Sequence, residues 1–371
     1  MQKWLFSLVS SLMFVSTWLS ASPSVEVGAY KQQSFSPSKG ELFSIPLKIT
    51  EAENIDNLMV QIRTQDNDVI STIQVDTVSG EDLSIRWDGK DSNGNTVPDE
   101  AYFPVFVITN KSGETVSLNP SEGTGGEEVY HFEKTLNPGS INYDLPVASR
   151  VLIRSGIKNG PMLRTILDWE PRVKGFHAER WDGMDADGVM QVEQTPNVGY
   201  LIMGYRLPDH AIITYGNKDQ TYRAYREANN WPIKQVVAGA ATLERNDKIL
   251  RQEFFYPVLQ QKSPRTLIKL LDAETKKPIH QVKGFQEVIA EVKLHPLDEL
   301  YLDQERYEVS FFIDNQFISE EERGFVPITW RWSPARHGLE AGKHILTVNV
   351  SGYKGQVGVK HLPFELTKES N

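Results

Sequence analysis

Two stretches dense in carboxylates are the first place where this sequence could do chemistry. Trp87-Asp88-Gly89-Lys90-Asp91-Ser92-Asn93-Gly94 and Trp181-Asp182-Gly183-Met184-Asp185-Ala186-Asp187-Gly188 share the pattern W-D-G-x-D-x-[ND]-G, 94 residues apart. The chemistry on offer is calcium binding. Asp182, Asp185 and Asp187 place three carboxylates in six residues, and Asp88, Asp91 and Asn93 repeat the pattern with one neutral oxygen. Calcium takes several oxygen ligands from a flexible loop, but the D-x-D-x-D-G spacing and the distal Glu of an EF-hand are missing. Turn chemistry uses the same residues. Asp88 and Asp182 can accept backbone N–H bonds, Gly89 and Gly183 supply positive φ, and Asn93-Gly94 and Asp187-Gly188 are tight-turn dipeptides. Trp87 and Trp181 end strands and can bury an indole between sheets. Trp87, Asp88, Gly89, Asp91, Gly94 and Trp181, Asp182, Gly183, Asp185, Gly188 are therefore read as a structural turn motif. No cofactor is assigned.

The second candidate is aromatic. Asp168-Trp169-Glu170-Pro171 sets an indole in a loop before the second W-D-G stretch, and Trp231, Trp330 and Trp332 add further rings. Trp330 and Trp332 share a strand face by period two. Trp169, Glu170, Trp231, Trp330 and Trp332 are thus candidate binding residues, either as a stacking platform for glycan or as a protein hot spot. Core packing is the competing role, since most Trp side chains are largely buried. His177 and Glu179 also share a strand face, yet a metal site needs a third and fourth ligand that the sequence does not name. Paired carboxylates such as Glu53/Asp56 and Asp298/Glu299 are many, but spacing alone does not make them a glycosidase pair. Glu320-Glu321-Glu322 reads as a solvated loop. The sequence has no H-E-x-x-H, G-x-S-x-G, phosphate-loop or dinucleotide fingerprint. It is read as non-catalytic.

Composition narrows the setting. The 371 residues carry a net charge of −10, which disfavours a sequence-independent grip on nucleic acid. The absence of Cys excludes disulfides, Cys-ligated zinc, iron–sulfur clusters and a Cys-linked lipid anchor. Met1-Gln2-Lys3, an apolar Trp4–Leu19 and a small-residue Leu19-Ser20-Ala21 read as a secretory signal peptide over residues 1–21. An uncleaved anchor is the alternative, although the apolar run is short for a span. The expected location is the bacterial periplasm or the cell exterior, with no integral membrane segment after cleavage.

The elements that must position these residues are strands. Leu42–Ile49, Leu58–Arg63, Val69–Ile73, Leu83–Trp87 and Tyr102–Ile108 alternate or run aromatic, with turn signals every eight to twelve residues. Pro104 suits an edge or a bulge. A second series, Gly139–Pro146, Arg150–Arg154, Leu163–Leu167, Phe176–Trp181 and Leu201–Tyr205, repeats the order. Tyr222–Ala228 reads as a short helix ended before Trp231-Pro232. Arg306–Ile313, Phe325–Trp332 and Gly342–Val350 form a third β-rich series. The expected organisation is all-β, with three modules: 22–120, 121–216, an insert at 217–263, and 264–371.

Phe35-Ser36-Pro37, Gly40-Glu41, Ile45-Pro46-Leu47, Trp87-Asp88-Gly89-Lys90-Asp91 and Val97-Pro98-Asp99-Glu100-Ala101-Tyr102 resemble the Ig-like domain of the flagellar hook-capping protein FlgD. The resemblance covers about residues 34–118 well and 139–216 more weakly. Glu100 stands where the family usually has Gly, and the second copy lacks the V-P-D close. The resemblance implies tandem Ig-like β-sandwiches that act as spacers, sorting signals or interaction platforms. It does not imply hook assembly, because hook-capping proteins lack a cleaved signal and carry a docking segment not seen here. The expected role is a secreted scaffold or accessory subunit whose partners are other envelope or extracellular proteins. The alternative is a glycan-binding module.

Overall fold

The computed structural model describes residues 23–76, 82–129, 134–217, 219–232, 234, 243–302 and 306–367. The expected signal peptide and the polar tail from Lys368 lie outside the described residues. The fold is all-β. No helix among the described residues is long and apolar enough to cross a membrane.

The first sandwich follows from period-two alternation. In β3 (Phe43–Thr50) the residues Phe43, Ile45, Leu47 and Ile49 are buried while Ser44 and Lys48 face water. β3 lies between β1 (Ser24–Val27) and β6 (Asp82–Trp87) in one sheet. The facing sheet holds β2 (Ser34–Phe35), β4 (Ile55–Thr64), β5 (Val69–Val75), β7 (Ala101–Asn110) and β8 (Thr115–Leu118). Leu58, Val60 and Ile62 of β4 meet Ile45, Leu47 and Trp87 in one core. Pro104 sits on β7 between the residues paired with β8, Phe106 to Thr109, and those paired at its start, Ala101 and Tyr102. A missing donor is tolerated in such a gap.

The second sandwich repeats that plan. One sheet is β10 (Lys134–Asn137), β11 (Ser140–Leu145) and β14 (Gly175–Arg180). The other is β9 (Glu128–Val129), β12 (Ser149–Ile157), β13 (Met162–Arg172) and β15 (Val198–Arg206). Ile141, Tyr143, Leu145, Val151, Ile153 and Leu167 close the core.

The chain then returns to the first sandwich. β16 (Ile212–Thr214) pairs antiparallel with β7 through Ile212–Tyr102 and Ile213–Ala101, and parallel with β2. A strand that the sequence reading places at the end of the second module is thus hydrogen-bonded into the first. α1 (Tyr222–Ala228) is the expected short helix, capped by Thr221, and its Tyr225 joins the first core with Trp231 packed beside it. A small hairpin, β17 (Glu244–Arg245) and β18 (Lys248–Ile249), and the turn of helix α2 (Val258–Gln261) lead onward.

The third sandwich pairs a sheet of β19 (Thr266–Asp272), β21 (Val288–Leu294) and β24 (Ile328–Trp332) with a larger one. The latter contains β20 (Gln281–Lys283), β22 (Tyr307–Ile313), β23 (Gln316–Glu321), β25 (Gly342–Gly352) and β26 (Val357–Thr367). Helix α3 (Pro296–Leu302) precedes β22. Asp314 and Asn315, at φ of 50° and 67°, form the expected tight hairpin. Glu320 and Glu321 correct the loop expectation: they extend β23, an edge strand on which outward carboxylates stay solvated.

Candidate functional site

The two W-D-G stretches share the same carboxylate-capped turn, although the second closes one residue later, Asp185 N–H donating to the Met190 carbonyl where Asp91 N–H donates to that of Asn95. Asp88 accepts the Lys90 N–H at 3.1 Å and Asp182 accepts that of Met184 at 3.1 Å. Asp91 Oδ1 accepts the N–H groups of Asn93 and Asn95, and Asp185 Oδ1 those of Asp187 and Val189. Gly89, Gly94, Gly183 and Gly188 have φ of 71°, 82°, 73° and 69°, the region that glycine adopts without steric cost. Trp87 is 1% exposed and Trp181 9%.

The calcium alternative for Asp182, Asp185 and Asp187 is corrected by where the three carboxylates point. Asp182 pairs with Arg164 at 2.6 Å, Asp185 is buried within its own turn, and Asp187 binds the Lys360 amine and the His361 N–H. No group of three or more His, Asp or Glu side chains among the described residues is placed to hold a metal ion. The outer oxygens serve a different purpose. Asp91 Oδ2 accepts the Tyr225 hydroxyl of α1 at 2.9 Å. Asp187 holds β26 of the third sandwich, where His361 also bonds the Leu163 carbonyl. Each turn is thus a docking point for chain that comes later.

Between the first two sandwiches lies a buried ion pair that motif reading missed. Arg150 Nη2 is 2.5 Å from Glu100 Oε1, with side-chain exposures of 0% and 1%. Arg150 also donates to Gln65 and to the Trp169 carbonyl, while Ala101 N–H donates to Glu100. Burial opposes the charge on Arg150, but the Glu100 carboxylate outweighs it and holds the guanidinium above its ordinary range. The one sequence signal was Glu100 itself, the departure from the family's Gly. A second cluster anchors α1: Arg226, 3% exposed, pairs with Asp66 and Asp68, and Val258 N–H donates to Asp66. Burial pushes the Asp66 carboxyl up, against the pull of that N–H and of Arg226.

Two clefts of about 610 and 240 Å³ open at this junction and share Asp99 and Glu170. Asp168 and Glu170 thus line an interdomain surface. Their charges are matched within the fold: Lys262 bonds Glu170 at 2.7 Å, Ser263 donates twice to Asp168, and Arg223 and Arg265 bind Asp298. His177 stacks on Tyr143, and Glu179 pairs with Arg172, so neither is aimed at a ligand.

The four aromatic candidates do not form one surface. Trp169, expected to present its indole, is 1% exposed and packs against Tyr205 and Leu152, at φ 53° where the register of β12 and β13 shifts. Trp332 is likewise core, 2% exposed beneath Phe364. Both correct the platform expectation. Trp330 and Trp332 do share a face, with centroids 5.3 Å apart and planes 9° apart, but the half-buried Trp330 packs on Phe311. Trp231 is half-buried under the Arg226 guanidinium, 5.1 Å from its ring.

A further recess of about 630 Å³ lies at the side of the second sandwich, over Trp181 and Tyr200.

The repeated strand order and the repeated turn define tandem Ig-like domains. Residues 34–103, within the first sandwich, match the model of the FlgD Ig-like domain. No curated protein matches the chain in sequence. Among solved structures, the fibronectin(III)-like modules of CbhA from Clostridium thermocellum share 8% identity at a TM-score of 0.21, covering 94% of this chain and 98% of that one. A structure concerned with host cell surface retention of a 1.5-MDa bacterial ice-binding adhesin gives 8%, 0.21, 94% and 98%. A Ca2+-stabilized adhesin of an Antarctic bacterium gives 11%, 0.20, 94% and 75%. Superposition at such TM-scores carries no argument about role.

Proposed function

We propose that the chain is an exported, non-catalytic scaffold, an accessory subunit of an envelope or extracellular assembly. The observation that supports this most directly is the way charge is spent at the junctions. Glu100 and Arg150, Arg226 and Asp66, and Asp187 and His361 each join chain segments far apart in sequence. A catalytic cleft keeps acids or bases poised toward substrate with perturbed pKa values. Here Lys262 holds Glu170, and Arg223 and Arg265 hold Asp298, with Arg265 also bound to Glu227. Domains tied in this way present fixed edges and loops at fixed spacing, which suits reach and display. The test is purification of the processed chain from its native envelope under mild conditions. A stoichiometric protein partner is expected; recovery of the chain as an isolated monomer throughout would defeat the proposal.

A further inference from the structure

Arg150 and Arg154 lie on one strand, β12, in contrasting surroundings. Arg150 meets the Glu100 carboxylate in the first seam. Arg154, 4% exposed, faces the third sandwich, where its Nη1 donates to the Gly355 carbonyl at 2.7 Å. Its Nε and Nη2 are sealed from solvent and have no acceptor among the described residues. That Nε–Nη2 edge is the fork with which Arg172, Arg251 and Arg265 grip Glu179, Glu253 and Asp298. The acids nearest in charge to Arg154 are bonded elsewhere: Asp168 to Ser263, and Glu253 to Arg251. Burial holds the Arg154 guanidinium below its ordinary range. The same joint seals other polar atoms. Gln356 and Gln260, 4% and 2% exposed, donate through Nε2 to the Gln260 and Lys234 carbonyls. Both Oε1 atoms are then left without a donor among the described residues. So is Asp185 Oδ2, 4.0 Å from His361 Nε2, whereas its counterpart Asp91 Oδ2 accepts the Tyr225 hydroxyl.

The face that the third sandwich turns to this joint is itself polar. Ser310, Thr347, Asn349 and His361 alternate with core residues of β22, β25 and β26, so they lie on the outer side of the sheet. They are nevertheless 8%, 0%, 5% and 2% exposed, with Phe312 as an apolar neighbour. Met162 and Leu163 of β13 bond to Asn349 and His361 across the joint. The contact at α3 is built differently. Asp298 gathers Arg223 and Arg265 there, and Arg265 reaches Glu227, so the charges are matched. We propose that the third sandwich is hinged: it pivots at Asp298 and lifts its polar sheet face off β12 and β13, letting water reach Arg154. A buried polar group without a partner favours whichever state hydrates it, and a buried unpaired charge does so more strongly. Polar interdomain contacts permit such motion. The bonds of Met162 with Asn349 and of Asp187 with His361 hold the closed state, and the unanswered atoms oppose it. The first two sandwiches carry no such conflict at Arg150 and move as one body. The hinge goes beyond the scaffold reading and stands without it.

Native-state hydrogen exchange on the intact processed protein tests the hinge, with Arg154→Met as the variant. Methionine keeps an apolar stem and removes the charge. In the wild type, the Met162 and His361 amides bond to Asn349 and Asp187 across the joint. They should exchange through an opening that leaves Val60 and Phe106, paired in the first core, protected. In Arg154→Met both amides should exchange about tenfold more slowly, because the closed state no longer holds an unpaired charge. A guanidinium that merely braced the joint through Gly355 gives the opposite sign. Unchanged or faster exchange of Met162 and His361 in the variant therefore overturns the proposal. So does wild-type exchange of these two amides only in step with Val60 and Phe106, an outcome that stands even if the variant fails to fold.

Discussion

Glu100 and Arg150 meet at 2.5 Å in the seam between the first two sandwiches, both all but inaccessible to water. Two charges withdrawn from water in this way cost several kcal/mol each and are tolerated only when paired and hydrogen-bonded. Breaking the pair from one side therefore costs more than removing it. Glu100→Gln is expected to lower stability by about 3–5 kcal/mol, because Arg150 is left buried with only Gln65 and the Trp169 carbonyl. The double variant Glu100→Gln/Arg150→Met is expected to recover most of the loss. Urea unfolding of the two single variants and the double checks this; additive losses would show that the pair is not a unit.

The duplicated turn gives an asymmetric prediction. A Cβ on Gly89 would lie 2.2 Å from Pro37 Cγ and 2.5 Å from its Cβ, whereas on Gly183 it meets only the end of Glu193, at 3.1 Å. Both alanines share the left-handed backbone cost of about 1–2 kcal/mol. Gly89→Ala adds an overpacking cost of about 1–3 kcal/mol against a rigid ring. Gly89→Ala should therefore lower the unfolding midpoint distinctly more than Gly183→Ala. Equal midpoints would mean that Pro37 does not press on the first turn.

His344 supplies a pH dependence. Its Nδ1 faces Asp314 at 2.6 Å and its Nε2 faces the Glu340 carbonyl at 2.7 Å, two acceptors that only the doubly protonated ring satisfies together. Burial opposes the charge, but these acceptors overcome it and hold the imidazole above its ordinary value near 6.5. The folded value exceeds the unfolded one, so the contribution is complete below about pH 6.5 and is lost as pH rises through the folded value. His344→Gln should thus lower the melting temperature modestly at about pH 5.5 and leave it unchanged at about pH 9. A deficit that is constant across this range would assign the effect to lost stacking on Phe364.

Much of this fold was legible because alternation and turn dipeptides are local. Phe43 to Ile49 announce a half-buried strand on their own, and Asn93-Gly94 announces its turn. The sites were less legible because they depend on return paths. Nothing local says that Ile212–Thr214 rejoins β7, or that Arg150 of β12 arrives beside Glu100 to give a carboxylate a reason to replace a turn glycine. Trp169 misled for a related reason. A Trp between Asp168 and Glu170 looks loop-borne, yet an irregularity at φ 53° keeps Trp169 in β13 with its indole buried, while Ser263 and Lys262 take the two carboxylates.

Asp187 ties the second sandwich to the third. It accepts the His361 N–H at 2.7 Å and pairs with the Lys360 amine, while Asp185 keeps the turn itself closed through two backbone N–H groups. The two acids therefore separate by function despite lying in one motif. Asp187→Ala removes the tether and leaves the turn; Asp185→Ala opens the turn and strands two half-buried donors, a loss of about 1 kcal/mol for each. Hydrogen exchange reads the difference. In Asp187→Ala the His361 amide should exchange faster by tenfold or more while the Asp187 and Val189 positions stay protected and the global unfolding midpoint barely moves. In Asp185→Ala protection should fall first at residues 187 and 189, with a clear drop in midpoint. If His361 stays protected in Asp187→Ala, the Leu163 carbonyl contact and the Asn349 bonds to Met162 hold the two sandwiches without help from the turn.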